Sequence, residues 1–449
     1  MNTKTRTNPK NASSATDSRI ITAGKIFVDG TMIELVAAPP GQQRPNLLLW
    51  NGRKATVGPH VKHGDRIYEA PVLDPTLSAG MRLPTCCCDY GSARNLFAGI
   101  RDLFQRHLGL PKPDSALIAC FVLSTWLCDR LPSAPTLAIS GPNEQLGIEL
   151  LRLLHCVCRH PLILADLTPG SFRSLPMHLS LTLLLDQAML KFPMQRVLYA
   201  SSQRGLHLPG TAGRVLDVYG PKAIFSSHIL FGASDGDALH VSLAPSRLPL
   251  ATIRKQSELS EPVQQGIANY FPPRLLMYRL KNFPKVHDGH LDLDLSQFTV
   301  ATCQLACNLA RCFPGDAELR SEAVQLLQAQ DEEVREQRSR DVDYVIIEIL
   351  WRLLHNRERQ VIVDQITKGV NALLATRGEI FSYRRESIGW RLRDLGIVRH
   401  DASSGQQVFF DRDTSKIVHR LARAYDLACA QNVDGDCPDC KTMQVPIAK

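Results

Sequence analysis

Between residues 135 and 245, apolar runs of strand length alternate with helix-like segments. The runs are "PTLAIS", "PLILAD", "LTLLLD", "QRVLYAS", "AIFSS" and "ALHVSLA". Short buried strands separated by helical stretches are what a parallel sheet with crossover connections requires. That alternation excludes an all-helical or all-β reading of this part of the chain.

The flanks have different textures. Residues 1–20 are polar and basic with no periodic pattern, and are expected to be a disordered arm and not a signal peptide. Residues 21–110 hold β-type runs, "KIFVDG", "MIELV", "NLLLW" and "RIYEAPVL", punctuated by Gly, Pro and Asn, followed by the amphipathic "SARNLFAGIRDLFQRHLGL". They are read as a small β-rich or mixed unit. The core is placed at 111–255, opening on the apolar "SALIACFVLSTWLCDRL", which has the character of a buried helix. Residues 256–341 read as a helical connector ending in the charged "QAQDEEVREQRSRD", and 431–449 as a flexible tail.

At the end of the first core strand stands "ISGPNEQLGIELLRLL". A working P-loop carries Gly-x-x-x-x-Gly-Lys-[Ser/Thr] at this place, because backbone amides cradle the phosphates, the lysine neutralises charge and the hydroxyl binds magnesium. With Gly147 as the second glycine, Pro142 holds the first position, Ile148 the lysine and Glu149 the hydroxyl. An aliphatic chain and a carboxylate there remove the main cation and add an anion. "LTLLLDQAML" ends its strand at Asp186, the place of a magnesium-facing acid, but follows it with Gln187, which cannot take a proton from water. What remains of a nucleotide site is Gly141, Gly147 and Asp186, with no catalytic residue. ATP and magnesium are not expected as cofactors.

With these residues in view, the run from 111 to about 250 resembles the P-loop ATPase domain of unknown function found in phage- and plasmid-associated primase/helicase-like proteins. That family reads "DRFP", "TPYLAITSP...CGKT", "PTLLLDEAD", "NAGYRRG" and "FGPKAI" in order. Here "CDRLPSAPTLAISGPNEQLGIE", "LTLLLDQAM", "YASSQRG" and "VYGPKAI" follow the same order. The resemblance implies an α/β P-loop fold, adds Arg204 to the degenerate nucleotide site, matches Lys222 to a family position, and brings a small C-terminal domain that reads like a winged helix. The departures fall on the chemistry, at Ile148, Glu149 and Gln187, and "ALHVSLA" lacks the arginine of the family's corresponding strand.

Residues 342–430 support the last point independently. "VDYVIIEILWRLLH", "QVIVDQITKGVNALLAT" and "YRRESIGWRLRDLG" are three helices, "IVRHDASSGQQVFFD" a two-strand wing, and "TSKIVHRLARAYDLA" a closing helix. In a winged helix the third helix enters the major groove and the wing meets adjacent phosphate. Ile388, Leu392 and Leu395 form its buried stripe, and Arg384, Arg385, Arg391 and Arg393, with Arg399 at the wing base, are the expected DNA contacts. Glu386, Asp394, Asp401, Asp411 and Asp413 dilute that charge, so a winged helix used for protein contact stays open. Trp390 is either packed against the last helix or an exposed anchor.

The thirteen cysteines of a chain without a secretory signal suit reduced thiols more than a disulfide framework. One C-x-x-C exists, Cys437 with Cys440, and no second pair lies nearby to complete four ligands. His355 and His419 read as packed or solvent-facing; no metal is expected, and whether Cys437 and Cys440 bind one stays open. The net charge of +8 is compatible with a polyanion without demonstrating one. No run reaches the roughly 18 apolar residues that span a bilayer, and a cytoplasmic location is expected.

The expected fold is therefore α/β: a degenerate P-loop NTPase-like parallel-sheet core, a small N-terminal β-containing unit and a C-terminal winged-helix domain. The expected function is non-catalytic DNA binding with a pseudo-ATPase core as scaffold, beside replication or mobile-element machinery. Duplex DNA is the expected partner, no membrane is involved, and protein partners and a homo-oligomer stay open. The competing classes are a weak or divergent helicase-like ATPase whose cation comes from elsewhere, and a protein-interaction adaptor.

Overall fold

The computed structural model of the chain describes residues 19–39, 42, 44–187, 190–210, 214–227, 238–243, 259–286, 291, 293–402, 405–425, 427, 437 and 440. The basic arm up to residue 18, the Ser403–Ser404 turn and the end of the tail lie outside the described residues. The chain divides into two compact units. The first comprises 1–230, 238–292 and 307–324, and the second 231–237, 293–306 and 325–449.

The first unit begins with seven strands: β1 Arg19–Ile21, β2 Gly24–Ile26, β3 Met32–Val36, β4 Asn46–Trp50, β5 Ala55–Gly58, β6 His60–His63 and β7 Arg66–Glu69. They form two sheets, ordered β1-β7-β6 and β2-β3-β4-β5. Arg19 and Ile20, placed in the disordered arm by sequence, belong to β1, which pairs in parallel with Ile67–Glu69 of β7. All five residues of β3 are buried, including Glu34. A strand covered on both faces loses the polar alternation of a half-exposed one.

Two helices follow α1 Pro75–Gly80. In α2, Ala93–Leu108, the Ser92 hydroxyl accepts from the Asn95 amide (3.1 Å) at the start, and Gly109 closes the end in a left-handed conformation. In α3, Lys112–Leu127, every residue from Ser115 onward is buried, as expected of a helix apolar on all sides. The core sheet is then built from β8 Thr136–Ser140, β9 Pro161–Ala165, β10 Thr182–Asp186, β13 Lys222–Ser226 and β14 Leu239–Ser242, with α4 Glu144–Val157, α5 Pro169–Ser174 and α6 Phe192–Ala200 between them. A two-strand ribbon, β11 His207–Pro209 with β12 Val215–Asp217, precedes β13. The order across the sheet is β14-β8-β13-β10-β9, and every pairing is parallel.

One expected strand is a helix. "QRVLYAS" lies largely within α6, where Pro193 sits in the first turn and Met194, Val197 and Leu198 are buried at three- and four-residue spacing. A short apolar run does not distinguish the two states by periodicity, and the proline at the helix start decided it.

The stretch read as a connector is divided between the units. Helix α7, Glu261–Asn282, belongs to the first, where Leu275, Leu276, Tyr278 and Arg279 are buried. Beyond it lie α8 Val300–Arg311, α9 Ala317–Gln325 and α10 Gln328–Ser339. The rest of the second unit runs α11 Val342–His355, β15 Gln360–Ile362, α12 Val363–Thr376, α13 Arg385–Asp394, β16 His400–Ala402, β17 Gly405–Phe409 and α14 Arg412–Ala424. Its three strands order β15-β17-β16, all antiparallel. Its core gathers Val345, Ile346, Leu350, Ile366, Val370, Ile388, Leu392, Val408 and Val418, together with Cys440 from the expected flexible tail. Among the described residues no helix is long and apolar enough to cross a membrane.

A ring of alternating charge, buried at Glu34, Arg159 and Arg279 and half-buried at Asp129, ties the first unit together. Glu34 of β3 accepts from Arg159 (Nη2, 3.0 Å) and from Arg279 of α7 (Nε, 2.7 Å). Asp129, after α3, meets Arg279 and, at 3.5 Å, Arg159. Arg279 also donates to the Trp126 carbonyl (2.6 Å). Burial alone would raise the carboxyl of Glu34, but Arg159 and Arg279 outweigh it and hold it below the usual range. Removing one member strands the opposite charges in the interior. Arg279→Met is therefore expected to cost about 3–5 kcal/mol of unfolding free energy, read by urea denaturation. A loss below about 1 kcal/mol, the scale of a surface pair, would refute the ring's structural weight.

Candidate functional site

The parallel register sets the carboxyl ends of the five strands along one edge, with Ser140 beside Ser226 and Ser242, and Asp186 beside Ala165 and Phe225. Ligands of open α/β sheets bind at this edge. Gly141, Pro142 and Asn143 alone separate β8 from α4, and the Asn143 side chain accepts from the Leu146 amide (3.1 Å) as the helix cap. The helix thus starts three residues before Gly147, and the segment that would wrap a phosphate is its first turn.

Packing, not phosphate, explains both glycines. A Cβ on Gly141 would lie 2.6 Å from Cβ of Leu243, just past β14. A Cβ on Gly147 would lie 2.3 Å from the Phe225 ring. Ile148 is half-buried, and Glu149 is buried and accepts from Gln145 Nε2 (3.1 Å).

The acid at the end of β10 lies among other carboxylates. Burial raises the Asp186 carboxyl, and the carboxylates of Asp166 and Glu144 add to the shift. Gln187, in the place of the catalytic acid, is buried and clasps the chain after β9. Its Oε1 accepts from the Leu167 amide (3.0 Å), and its backbone N–H donates to the Phe225 carbonyl (2.9 Å).

Arg204 and Lys222 lie at the opposite edge. Arg204 donates to the carbonyls of Leu131 (Nη2, 2.7 Å) and Cys128 (3.3 Å), and its guanidinium stacks 4.6 Å from the Tyr219 ring centre. Lys222 opens β13 and donates to Ser202 Oγ (2.8 Å), which contacts Thr136 Oγ1 at the start of β8 (3.3 Å). Of the four residues assigned to a nucleotide, Gly141, Gly147 and Asp186 share the carboxyl edge, and Arg204 does not join them. Its cationic head is engaged by backbone carbonyls at the amino ends of the strands.

The arginines expected at DNA differ in their availability. Arg391 donates to Asp343 Oδ1 (2.7 Å) and Arg399 to Gln406 Oε1 (2.8 Å). Arg399 also fills the space beside Gly389, where a Cβ would meet its Nη1 at 2.7 Å, so it joins α13 to the hairpin. Arg385 and Arg393 make exposed contacts with neighbouring Glu386 (3.7 Å) and Asp394 (3.4 Å). Arg384 is exposed and has no ion-pair partner among the described residues. Trp390 is 63% exposed, which resolves its two readings toward an open surface.

A cationic surface missed in the sequence lies on α14. Arg412, Lys416, Arg420 and Arg423 are exposed along one face, while Thr414, Val418 and Ala422 are buried on the other. None of the four has an ion-pair partner among the described residues. Their spacing of four, four and three in "RDTSKIVHRLAR" was the available signal.

The second unit also gathers a group that sequence spacing concealed. His355, at the end of α11, and His419, on α14, meet Cys437 and Cys440, with all four ligand atoms within 4.8 Å of one another.

No family model matches the chain, and no curated protein matches it. Among solved structures it is similar to the apo A form of the NrS-1 C-terminal region, at 10% identity and a TM-score of 0.36, covering 84% of this chain and 96% of that one. It is similar to a full-length MCM homologue from Methanopyrus kandleri at 12% identity and a TM-score of 0.32, covering 67% and 78%. A third similarity is to Drosophila ORC bound to DNA, at 12% identity and a TM-score of 0.19, covering 76% and 95%. Likenesses this remote carry no functional weight.

Two expectations follow from the sheet edges. Gly147→Ala must displace the Phe225 ring, and should lower unfolding free energy by about 1–3 kcal/mol, the usual cost of overpacking; a neutral result in urea denaturation would contradict the packing role. Burial pushes the Lys222 ammonium from 10.5 down to about 7. Between these values the unfolded chain holds a proton that the folded chain has released, so this group makes stability rise with pH above 7. Lys222→Met should flatten the gain measured between about pH 6.5 and about pH 8.5. An unchanged gain would show that Lys222 is not the group responsible.

Proposed function

We propose that the chain is a non-catalytic DNA-binding protein. Its parallel-sheet core keeps the layout of a P-loop ATPase as a scaffold, and its second unit acts as a winged helix on duplex DNA. The observation that carries the reading is the row of exposed cations on α14, Arg412, Lys416, Arg420 and Arg423, with Arg384 ahead of α13. Cations not neutralised by neighbouring carboxylates are available to phosphate, and phosphate contacts supply most of the affinity of such modules. The order of helix, strand, two helices, hairpin and helix supports the winged-helix assignment, with α13 as the helix that meets the groove. For the core, the three-residue turn after β8 and the ring of Phe225 against Gly147 favour a scaffold over an ATP site. The resemblance of its motifs to phage- and plasmid-associated primase/helicase-like ATPases suggests a place beside replication or mobile-element machinery.

A second reading, a protein-interaction adaptor, is favoured by Trp390 together with Phe381 and Ile380, which are 70% and 100% exposed. Exposed aromatics are the usual anchors of protein interfaces.

The test is duplex-DNA affinity of the full chain at two salt concentrations, with and without ATP, beside the Arg412→Ala/Lys416→Ala/Arg420→Ala variant. Binding should weaken with salt, ignore ATP, and lose about 0.9 from the log–log salt slope for each phosphate contact removed. Absence of binding by the intact chain would transfer the assignment to the adaptor. Binding that requires ATP would transfer it to a divergent ATPase.

A further inference from the structure

The second unit ends in a cluster that neither the core nor the cationic face of α14 uses. His355 closes α11, His419 lies on α14, and Cys437 and Cys440 come from the polar C-terminal segment. Nε2 of His355 is 3.2 Å from Sγ of Cys440, and Nε2 of His419 is 3.2 Å from Cys440 Sγ and 3.4 Å from Cys437 Sγ. In a tetrahedral zinc site, with sulfur at about 2.3 Å and nitrogen at about 2.0–2.1 Å, a thiolate and an imidazole nitrogen stand about 3.5 Å apart. The observed separations are within a few tenths of an ångström of that edge.

The outer contacts of the histidines point the same way. Nδ1 of His355 is 2.8 Å from the Trp351 carbonyl, and Nδ1 of His419 is 2.7 Å from the Ser415 carbonyl. A carbonyl only accepts, so both rings carry their proton on Nδ1 and turn the Nε2 lone pair into the cluster. Two lone pairs and two sulfurs then share three close contacts, and two thiol protons cannot satisfy all three as linear hydrogen bonds. The His419 lone pair, approached by both sulfurs, is the point of conflict. A cation at the centre, with both thiols ionised, removes it.

The surroundings are those of a closed site. Cys440 and His419 are buried, and the Trp351 ring packs 4.1 Å from the His355 ring centre and 4.9 Å from that of His419.

We propose that His355, His419, Cys437 and Cys440 bind one zinc ion in a structural Cys2His2 site. Two soft sulfurs and two imidazoles in tetrahedral reach select zinc among the common divalent ions. Four protein ligands leave no position for a substrate, so the ion's work is to fasten the C-terminal segment to α11 and α14. Binding ionises two thiols and releases their protons, and its free energy becomes folding free energy of the unit. The site does not depend on whether the unit binds DNA.

The test is metal content of the full-length chain purified under reducing conditions and dialysed free of loose metal. One zinc per chain is expected, with Cys440→Ser and His419→Ala each lowering affinity by at least about tenfold. His355→Cys, which restores four ligands, should keep the ion. Cobalt exchanged into the wild-type chain should give the strong visible bands of a tetrahedral thiolate site, which decides the matter even if a ligand variant fails to fold. A zinc-supplemented, folded chain that holds no zinc, or gives the weak spectrum of six-coordinate cobalt, would overturn the proposal. So would undiminished zinc in the ligand variants, or a metal-free wild-type chain whose mass shows Cys437 and Cys440 joined as a disulfide.

Discussion

The first unit depends on one arrangement of charge. Glu34, Asp129, Arg159 and Arg279 come from a β-strand of the N-terminal part, the end of one core helix, the turn before a core strand, and a helix more than a hundred residues later. Each carboxylate faces both guanidiniums. Such a group adds little net stability over well-packed apolar residues of similar size, yet it is costly to leave incomplete. The contacts fasten β3 and α7 to the segments around α3 and β9 of the core. His160, next in sequence to Arg159, shows how dry this region is. Burial, with Arg159 adding, pushes its imidazole down to about 4, and its Nδ1 lies 2.7 Å from the Leu179 carbonyl.

At the carboxyl edge of the core sheet, the protein's own side chains pack directly against both glycines. Leu243 occupies the space beside Gly141, and Phe225 the space beside Gly147. Gln187 accepts through Oε1 from the Leu167 amide of the chain after β9, and the carboxylates of Asp166 and Glu144 act on that of Asp186. Each of these positions makes a packing or hydrogen-bond contact within the chain. The pattern differs from a site that has merely lost one lysine, because restoring a cation at Ile148 would leave the three-residue turn and the aromatic ring in place.

The five sheet strands were legible because each is a short apolar run closed by Asp, Ser or a turn, as "LTLLLD" is. The smaller strands were not. "HVKH" of β6 and the three residues of β1 carry no pattern of their own and are strands only because β7 lies between them. One misread element had a larger effect. If "QRVLYAS" were a strand, Arg204 would follow its carboxyl end and stand near the phosphates. As α6 it returns the chain to the amino edge before β13, and Arg204 goes with it. Asp343 and Gln406, the partners of Arg391 and Arg399, come from other elements and leave no local trace in the sequence. The same holds for the Cys and His cluster, whose ligands arrive from two helices and a terminal segment.

The two kinds of charge in the molecule respond differently to the medium. The four-membered ring is neutral in sum and, apart from half-buried Asp129, withdrawn from solvent, so dissolved ions reach most of it poorly. The cations of α14 face water and act through a Debye length of about 10 Å at 0.1 M salt. Ionic strength is therefore a lever on the outer surface first: added salt screens the cations of α14 well before it weakens the contacts among Glu34, Arg159 and Arg279. The exposed and the interior charges of the chain can be varied one without the other.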